Sequence, residues 1–358
     1  MTAPLLLHVF STFAVGGPQL RFAAIANRCG AGLRHAVIAM DGDLAAAARL
    51  HPGLAVAFPA IAIRKGDMAG NLRRFAVALR ALRPDLLVTY NWGSIEWAMA
   101  NTLVRRPHVH IEDGFGPEER AGQLPRRVLT RRLLLRRTMV VLPSRTLLGI
   151  ARDVWRLQRL RYIPNGIDLA RFAPAEAGPP LWPGEGPVIG TVAALRAEKN
   201  LVRLIDAVAM LPAARLIIVG DGPQRGALAA HAAARGIAAR VQFAGAMPDP
   251  AAAYRHFDVF ALSSDTEQMP LSVLEAMGSG LAVAATNVGD VAAMLSDANR
   301  PYVVAQDSAA LAGALAALLA DPARRAAIGA ANRARAEAEF DAARMVAAYA
   351  ALFAAAAA

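Results

Sequence analysis

Short apolar runs alternate with longer stretches in which apolar residues recur at helical spacing, and this alternation continues along the chain. The first run, LLLHVF at 5–10, is followed by a glycine turn and then by Leu20, Ala24 and Ile25 at helical spacing. Strands that alternate with helices in this way form βαβ units with parallel strands. We therefore expect an α/β protein built from two doubly wound, Rossmann-like domains.

Further apolar runs predict the other strands. In the first half they cover 36–40, 86–90, 108–112 and 138–144, and in the second half 187–195, 215–220, 241–245, 259–262 and 281–285. Proline and glycine are concentrated between the halves, at 173–187, where we expect the linker. A helix is expected over 69–82, and the chain is expected to be helical from Ala309 onward, with breaks at Asp321-Pro322 and Phe340-Asp341.

The stretch between the last two of these strands carries the clearest candidate site. It contains a loop, a short helix and a glycine-rich stop, with Pro270 at the predicted helix start and Gly278 and Gly280 at its end. The N–H groups of about 269–273 would then lack partners within the helix and lie at the positive end of its dipole. Because the loop follows the carboxyl end of a parallel strand, an anion such as a phosphate can bind there.

Two carboxylates accompany this predicted anion site. Glu267 lies in the loop before the helix, and Glu275 lies inside the helix. One carboxylate could face a polyhydroxyl group while the other accepts hydrogen bonds deeper in the site, which suits a sugar joined to a nucleotide. The alternative is that both acids only stabilise the helix N-terminus electrostatically.

Two segments carry a family resemblance. The sequence EQMPLSVLEAMGSGLAVAAT at 267–286, in which Glu267 and Glu275 are separated by seven residues, resembles the donor-site signature of the family 4 retaining glycosyltransferases. The segment IPNGID at 163–168 resembles the strand-to-linker signature of the same family. In that family a glycine usually follows the first glutamate, whereas this chain has Gln268.

The resemblance implies the GT-B fold, in which two Rossmann-like domains face a cleft. It implies an acceptor-binding domain at 1–172, a linker at 173–186 and a donor-binding domain at 187–340. It further implies that the C-terminal helix, at 341–358, packs back on the first domain.

The resemblance also assigns roles to single residues. Lys199 matches the family's phosphate-binding lysine, and Arg196 takes the place of an arginine that the family usually has where Ala194 stands. Two cations suit a diphosphate. Together with Glu267, as a ligand of the sugar hydroxyls, and Asp113, where many members carry histidine, they are the predicted catalytic residues. The predicted donor-binding residues are Gly16, Gly17, Gly222, Met247, Gln268, Met269, Pro270, Leu271, Ser272 and Glu275.

The charge of the chain points to an anionic partner. Its net charge is +11, and most of the basic residues are arginine. Nucleotide phosphates, a phosphorylated acceptor or an acidic membrane surface would suit this charge, although an arginine- and alanine-rich sequence can also reflect genome composition. We expect no nucleic-acid binding, because charge alone suggests it and the sequence has no recognised helix-turn-helix, zinc or aromatic-basic pattern.

The segment Arg126–Arg137 carries six arginines among leucines at helical spacing. It could lie on an anionic membrane surface, with its arginine stems snorkelling and its leucines facing inward. Alternatively, the leucines form a core-facing stripe and the arginines a solvated face. No apolar run reaches the roughly 18 residues of a membrane span, and 1–10 is expected to be a buried strand rather than a signal peptide. We therefore expect a cytoplasmic protein that acts either free or at the inner membrane face.

No cofactor and no metal are expected. Cys29 is the single cysteine, which excludes disulfides within the chain and cysteine-cluster metal sites. The Asp41-Gly42-Asp43 pattern is explained by a turn in which Asp43 caps a helix. His108 and His110 are two residues apart, which favours a pair on one sheet face over metal ligation.

These features predict a glycosyltransferase that moves a sugar from a nucleotide-sugar donor to a glycan or lipid-linked acceptor, in polysaccharide or lipopolysaccharide biosynthesis. The resemblance implies retention of anomeric configuration and no metal. Lys199 and Arg196 would offset the charge that develops on the departing diphosphate. A nucleotide-sugar epimerase of the same fold and a non-catalytic nucleotide-sugar-binding protein are the alternatives.

Overall fold

The computed structural model of the protein describes residues 3–115, 117–119, 122–175, 181–182 and 184–357. The chain folds into two compact units. The first consists of Met1–Asn165 together with Arg344–Ala358, and the second consists of Gly166–Ala343. Each unit contains one sheet whose paired strands are parallel.

The first sheet has the strand order β3-β2-β1-β4-β5-β6-β7. Its strands are β1 (Leu5–Phe10), β2 (Arg34–Ala39), β3 (Val56–Ala57), β4 (Leu86–Tyr90), β5 (His108–Ile111), β6 (Met139–Leu142) and β7 (Leu160–Tyr162). The helices of the first half are α1 (Gly17–Cys29), α2 (Met68–Leu82), α3 (Ile95–Val104), α4 (Pro125–Leu134) and α5 (Arg145–Asp153).

The second sheet has the strand order β10-β9-β8-β11-β12-β13. Its strands are β8 (Val188–Val192), β9 (Arg215–Val219), β10 (Val241–Gly245), β11 (Val259–Leu262), β12 (Val283–Thr286) and β13 (Val303–Val304). The helices of the second half are α6 (Leu201–Ala209), α7 (Arg225–Ala234), α8 (Ala251–Tyr254), α9 (Leu271–Gly278), α10 (Val291–Met294), α11 (Ser308–Ala320), α12 (Pro322–Glu339) and α13 (Ala342–Ala357).

Both faces of each sheet are covered, which explains why the strands read as continuous apolar runs. In β1, Leu6 packs into one core cluster and Leu7 into another, because successive side chains point to opposite faces. In β9, Leu216 and Ile217 are divided between two clusters in the same way. The predicted α/β class, with two doubly wound sheets, is confirmed.

The chain crosses between the two units twice, and neither crossing lies at the predicted domain boundary. The division falls between Asn165 and Gly166, ahead of the predicted linker at 173–186. Of that linker, residues 176–180 and 183 lie outside the described residues. The second passage lies within the first turn of α13, and this helix packs into the core of the first unit through Met345, Val346, Tyr349 and Phe353.

Candidate functional site

The loops that carry the predicted catalytic residues of the second unit meet at one point of its sheet. The strand order reverses between β8 and β11, since β9 lies on one side of this pair and β12 on the other. Ligands of open α/β sheets bind beyond the carboxyl ends of the strands at such a reversal. The loop after β8 carries Lys199, and the loop after β11 carries Glu267.

Lys199 and Glu267 form an ion pair across these loops. The Lys199 ammonium Nζ lies 2.6 Å from Glu267 Oε1. The hydroxyl of Ser264 donates to the same carboxylate oxygen at 2.7 Å. The side chains are 23% and 10% exposed, respectively, so both retain access to a ligand although most of their surface is covered. Sequence reasoning found both charges but missed Ser264.

A second set of contacts fixes the two loops to each other. Arg203, in the first turn of α6, donates to Asp265 Oδ1 at 2.8 Å and to the carbonyl of Ser263 at 2.7 Å. Asn200 Nδ2 donates to the same Asp265 oxygen at 2.9 Å, and Asn200 also caps α6. The Ser263 hydroxyl donates to the carbonyl of Lys199 at 3.0 Å. The loop geometry around the ion pair is therefore held by several bonds that are independent of it.

Two glycines let the loop after β9 pack closely against the loop after β8. Gly220, directly after β9, has a φ of 136°, and a Cβ there would clash with the carbonyl oxygen of Ala193. At Gly222, a Cβ would lie 2.7 Å from the carbonyl oxygen of Leu195. Gly222 therefore has a packing role, because it lets the loop after β9 approach the loop after β8 closely. Its predicted donor-binding role stays a prediction.

The short helix α9 begins one residue later than predicted. Pro270 occupies the N-cap position, and Leu271 is the first helical residue. Val273 N–H donates to the carbonyl of Pro270 at 3.2 Å, so the prediction that it is without a partner is wrong. Among the described residues, the N–H groups of Leu271 and Ser272 have no backbone acceptor. These two donors stand at the positive end of the helix, next to the loop that carries Glu267.

Glu275 is held inside the second unit by a tyrosine. Tyr254 OH donates to Glu275 Oε2 at 2.6 Å and to the carbonyl of Ser272 at 3.3 Å. Burial raises the pKa of Glu275, and the Tyr254 hydrogen bond opposes this rise. Burial of a charged carboxylate costs free energy because water hydrates it poorly. A ligand hydroxyl could offset this cost by donating a hydrogen bond to the carboxylate.

Four other predicted site residues lie around these loops with less specific contacts. The Arg196 side chain is 63% exposed, and among the described residues its ion pair is with Glu198 at 3.6 Å. The structure therefore does not place Arg196 against Glu267. Met247 lies in the loop after β10 and packs partly against the core. The carbonyl of Gln268 accepts the N–H of Asp290 at 2.9 Å, and Met269 is buried.

In the first unit, Asp113 is bound by a buried arginine. Both carboxylate oxygens of Asp113 accept from Arg21, at 2.6 and 2.9 Å, and Arg21 also donates to Asn165 at 3.0 Å. Although burial alone would lower the pKa of Arg21, the Asp113 carboxylate raises it. The Asp113 N–H donates to Asn91 Oδ1 at 2.6 Å. Asp113 is thus fixed in position, and a substrate would have to share it with Arg21.

The glycine pair predicted near the donor lies at the start of α1. Gly16 is the N-cap residue, and Gly17 is the first helical residue. Gly16 is extended, with a φ of −164°, and a Cβ there would lie 2.8 Å from Gln19 Oε1. The helix start predicted after β1 is confirmed, and the glycine ligand roles stay predictions.

The arginine-rich segment does not form a core-facing leucine stripe with a solvated arginine face, and its contact with a membrane stays a prediction. In α4, Arg131 is 0% exposed, and its guanidinium binds Glu112 at 3.1 Å and Glu119 at 3.0 Å. Arg127 also binds Glu119, at 3.2 Å. The leucine stripe predicted to face inward is instead divided, because Leu129 and Leu133 are exposed. The correction follows from the buried carboxylates, which draw two arginines inward and turn two leucines outward.

Aromatic rings complete the surroundings of Arg131. Its guanidinium carbon lies 5.1 Å from the ring centroid of Trp92, 4.8 Å from that of Trp155 and 5.5 Å from that of Phe115. These contacts connect the loops after β4 and β5 with α4. The neighbouring Gly116 of the predicted loop 113–119 lies outside the described residues.

Histidines and aspartates with metal-ligand spacing are engaged in ordinary hydrogen bonds. His108 and His110 both bond to the Thr89 hydroxyl, at 2.8 Å each. Asp43 Oδ1 accepts the N–H of Ala45, at the start of a short 3-10 helix. Within the part of the chain that the structure describes, no three His, Cys, Asp or Glu side chains are placed to hold a metal ion. The described helices include none long and apolar enough to cross a membrane.

Comparison with protein families gives two matches that follow each other along the chain. Residues 16–171 match the model of Glycosyltransferase Family 4, and residues 174–335 match that of Glycosyl transferases group 1. The first match covers most of the first unit, and the second covers the part of the second unit that contains Lys199, Glu267 and Glu275.

Individual relatives agree with these matches over part of their length. The lipopolysaccharide core biosynthesis glycosyltransferase LpsE of Rhizobium meliloti is 32% identical over 142 residues, which cover 38% of this chain and 42% of that protein. The 2-deoxystreptamine glucosyltransferase of Streptomyces kanamyceticus is 32% identical over 202 residues, which cover 52% of each chain. The chain thus spans about half the length of the curated relatives it matches.

Solved structures share the fold over nearly the whole chain. The structure of Anabaena Alr3699/HepE in complex with UDP-glucose aligns with a TM-score of 0.82 and 21% identity, and it covers 98% of this chain and 100% of that one. At this level of identity the similarity concerns the GT-B fold.

Proposed function

Because the chain belongs to the family 4 glycosyltransferases, we propose that it transfers a sugar from a nucleotide-sugar donor to a glycan or lipid-linked acceptor. The observation that carries the proposal is the Lys199–Glu267 pair, at 2.6 Å, where the strand order of the second sheet reverses. The pair supports the proposal, because an ammonium group suits a diphosphate and the carboxylate beside it suits sugar hydroxyls.

The donor diphosphate is bound by a cation and by backbone donors. Lys199 supplies the positive charge, and the N–H groups of Leu271 and Ser272 supply neutral donors at the positive end of α9. Before the donor binds, Glu267 neutralises Lys199. A diphosphate that arrives takes over part of this role, because it brings more negative charge than the carboxylate.

The two carboxylates divide the remaining contacts of the donor. Glu267, fixed by Ser264 and Lys199, accepts from the sugar hydroxyls. Glu275, whose pKa is raised by burial, accepts from the nucleotide ribose. A ribose hydroxyl donates a hydrogen bond to a Glu275 carboxylate oxygen that water reaches poorly. This hydrogen bond makes donor binding more favourable.

The reaction replaces one bond at the anomeric carbon by another. The bond from that carbon to the diphosphate oxygen breaks, and its electron pair leaves with the diphosphate. A bond to the acceptor oxygen forms, and the proton of the acceptor hydroxyl passes to the departing diphosphate. The transition state resembles an oxocarbenium ion, so stabilising the leaving group matters more than a strong base. We propose that Lys199 supplies this stabilisation, with retention of configuration and without a metal or other cofactor. With retention, neither Glu267 nor Glu275 needs to attack the sugar.

The acceptor is proposed to bind the first unit, beside Asp113. A relative that acts in lipopolysaccharide core biosynthesis supports a glycan attached to a lipid as the acceptor class. Such an acceptor is presented at a membrane surface, and we propose that the protein acts at the cytoplasmic face of a membrane. Asp113, held by Arg21, would orient an acceptor or sugar hydroxyl.

A donor screen tests the proposed function. The purified protein is incubated with UDP-, GDP- and ADP-sugars, with and without a chelator, and free sugar and nucleoside diphosphate are measured. We expect hydrolysis of one donor class, unaffected by the chelator and slowed in Lys199→Ala. Conversion to an epimeric nucleotide-sugar would instead indicate an epimerase. Binding without any turnover, even with membrane extracts as the acceptor source, would indicate a non-catalytic protein.

A further inference from the structure

The first sheet has its own reversal of strand order. β2 lies on one side of β1 and β5 lies on the other side of β4, so the order reverses between β1 and β4. Ligands of open α/β sheets bind beyond the carboxyl ends of the strands at such a reversal. The loops after β1, β4 and β5 therefore border a candidate ligand site, and Asp113 lies in the last of these loops.

Contacts join these three loops to one another. A Cβ on Gly93, in the loop after β4, would clash with the side chain of Ser11, directly after β1. A larger residue at this position would push the two loops apart. Asn91 connects the loop after β4 to the loop after β5, because its Oδ1 accepts the N–H of Asp113 at 2.6 Å. Ser11 and Gly93 are exposed, so the joined loops lie at the surface.

Asn91 has an unusual backbone conformation. Its φ is 55° and its ψ is 180°, a combination that glycine adopts but other residues rarely do. Such a conformation costs free energy and persists where the surroundings fix it, and it is frequent at ligand sites. The Asn91 N–H donates to the carbonyl of Ile111 at 2.8 Å, so both the backbone and the side chain of Asn91 are bound. This fixed residue determines where the chain places the next one, Trp92.

Trp92 differs from the other tryptophans of the first unit. Trp97 and Trp155 are 0% exposed, whereas Trp92 keeps part of its surface in contact with solvent. The Nε1–H of Trp155 donates to Gln123. Among the described residues, the Nε1–H of Trp92 has no hydrogen-bond partner. Trp92 therefore presents both aromatic surface and a hydrogen-bond donor to a ligand.

Two buried arginines hold the Trp92 ring. The guanidinium carbons of Arg127 and Arg131 lie 4.8 and 5.1 Å from the ring centroid. Both arginines share a buried carboxylate of the loop after β5, and Arg131 also binds Glu112, directly before Asp113, at 3.1 Å. Buried ion pairs are often no more stabilising than apolar side chains of similar volume, so stability alone explains them poorly. Their contacts fix the positions of Trp92 and Asp113 relative to each other.

An aromatic ring beside a carboxylate suits a pyranose. The C–H groups on a pyranose ring pack against an aromatic face, which carries negative charge density. The pyranose hydroxyls can donate to Asp113 and accept from the Trp92 N–H. A lipid phosphate without a sugar has no such array of hydroxyls, and it has the same charge sign as Asp113.

We propose that Trp92 is the stacking surface for the terminal sugar ring of the acceptor, with Asp113 as the ligand of one of its hydroxyls. This inference rests on the proposed function, because it names the class of acceptor: a glycan that ends in a pyranose rather than a bare lipid phosphate. Sugar binding at Trp92 requires neither a donor nor transfer, so it can be measured on its own.

Fluorine NMR of the protein labelled with 5-fluorotryptophan tests the proposal without a donor. The chain contains four tryptophans, so four resonances are expected, and Trp92→Phe identifies the one that belongs to Trp92. The labelled protein is titrated with the methyl pyranosides of glucose, galactose, mannose and N-acetylglucosamine. We expect at least one of them to shift the Trp92 resonance in a saturable way. The resonances of the buried Trp97 and Trp155 should stay in place.

Kinetics separate a binding role of Trp92 from a structural one. The acceptor is the octyl glycoside of the sugar that shifts the Trp92 resonance, and the donor is the one that the screen identifies. Trp92→Leu keeps an apolar side chain but removes the ring, so the acceptor KM should rise about tenfold. The kcat should change little, because only binding is lost. Trp92→Phe should restore most of the acceptor affinity.

Trp182→Leu is the matched control, since Trp182 is a partly buried tryptophan of the second unit, and its acceptor KM should equal that of the wild type. The proposal is overturned if none of the pyranosides shifts the Trp92 resonance, or if Trp92→Leu and Trp182→Leu raise the acceptor KM equally. The titration of the wild type decides the question even if Trp92→Leu does not fold.

Farnesyl phosphate, titrated in the same way, separates the other class of acceptor. A shift of the Trp92 resonance with farnesyl phosphate and with none of the pyranosides would assign the site to a lipid phosphate and overturn the proposal. A saturable shift with a pyranoside, in a protein that hydrolyses no donor, would support the sugar site and contradict only the proposed transfer.

Discussion

Lys199 Nζ and Glu267 Oε1 lie 2.6 Å apart, although 67 residues separate them in the chain. Their loops follow two adjacent strands of a parallel sheet, β8 and β11, at the point where the strand order reverses. The pair keeps each charge partly neutralised while the site is empty. It also places a cation beside an acid, which is the arrangement that the proposed sugar diphosphate would require.

Replacing Glu267 by glutamine should separate donor binding from chemistry. The amide can still accept from Ser264, but it no longer neutralises Lys199 or binds sugar hydroxyls with a charge. We expect donor hydrolysis to fall about 100-fold, as for loss of one transition-state contact, while the nucleoside diphosphate binds at least as tightly. Glu198→Gln is the control, since Glu198 pairs with the exposed Arg196, and it should retain the rate within about threefold. An unchanged rate in Glu267→Gln would exclude this role.

Glu275→Gln should weaken donor binding and improve stability at neutral pH. Burial raises the Glu275 pKa above its ordinary 4.5, so the unfolded carboxyl loses its proton first. The unfolding free energy therefore falls as the pH rises from about 4.5 through the raised pKa, and glutamine removes this fall. The donor Kd should rise about tenfold, since a charged acceptor is lost. Calorimetry and urea unfolding at pH 4.5 and 8 check both effects. A lower stability of the variant at pH 8, or an unchanged Kd, would contradict the assignment.

Acid should destabilise the first unit through a buried histidine. Burial lowers the His35 pKa to about 4, whereas the unfolded side chain titrates near 6.5. The stability that His35 contributes is therefore present above pH 6.5 and is lost as the pH falls toward 4. His35→Gln should reduce the pH dependence between these values by up to about 3 kcal/mol, from 1.36 kcal/mol per pKa unit. The exposed His51→Gln serves as the control. Equal pH dependence in both variants would refute the prediction.

Arg131→Met should be among the most destabilising substitutions in the first unit. It leaves the buried carboxylates of Glu112 and Glu119 without their shared cation, which costs about 3–5 kcal/mol. The exposed neighbour Arg132→Met should change stability by less than about 0.5 kcal/mol. Adding Glu112→Gln to Arg131→Met should recover part of the loss, as measured by urea unfolding. A difference of less than about 1 kcal/mol between the two single variants would show that the cluster contributes little.

The fold could be predicted from the sequence because local patterns determine it. The apolar runs at 5–10, 86–90 and 259–262 coincide with β1, β4 and β11. Two doubly wound sheets follow from the repeated alternation. The candidate donor loop was predictable for the same reason, because Glu267, Pro270 and Glu275 lie within one short segment.

Contacts between distant segments could not be predicted in this way. Arg131 looked like part of a solvated or membrane-facing stripe, because its partners Glu112 and Glu119 lie in another loop. Asp113 gave no sign that Arg21 would bind both of its oxygens. In the sequence, these ion pairs were indicated only by the acidic residues Glu112 and Asp113, which directly follow β5. Helical spacing shows which residues share a face, but the partner of that face depends on the tertiary structure.

The bond between Lys199 and a donor diphosphate is tested most directly by titration calorimetry with the nucleotide-sugar that the screen identifies. The chain contains one other lysine, Lys65, which is exposed in the first unit and provides a matched control. We predict that Lys199→Ala binds the donor at least about tenfold more weakly, whereas Lys65→Ala binds it like the wild type. Equal donor affinity in Lys199→Ala and the wild type would contradict the account.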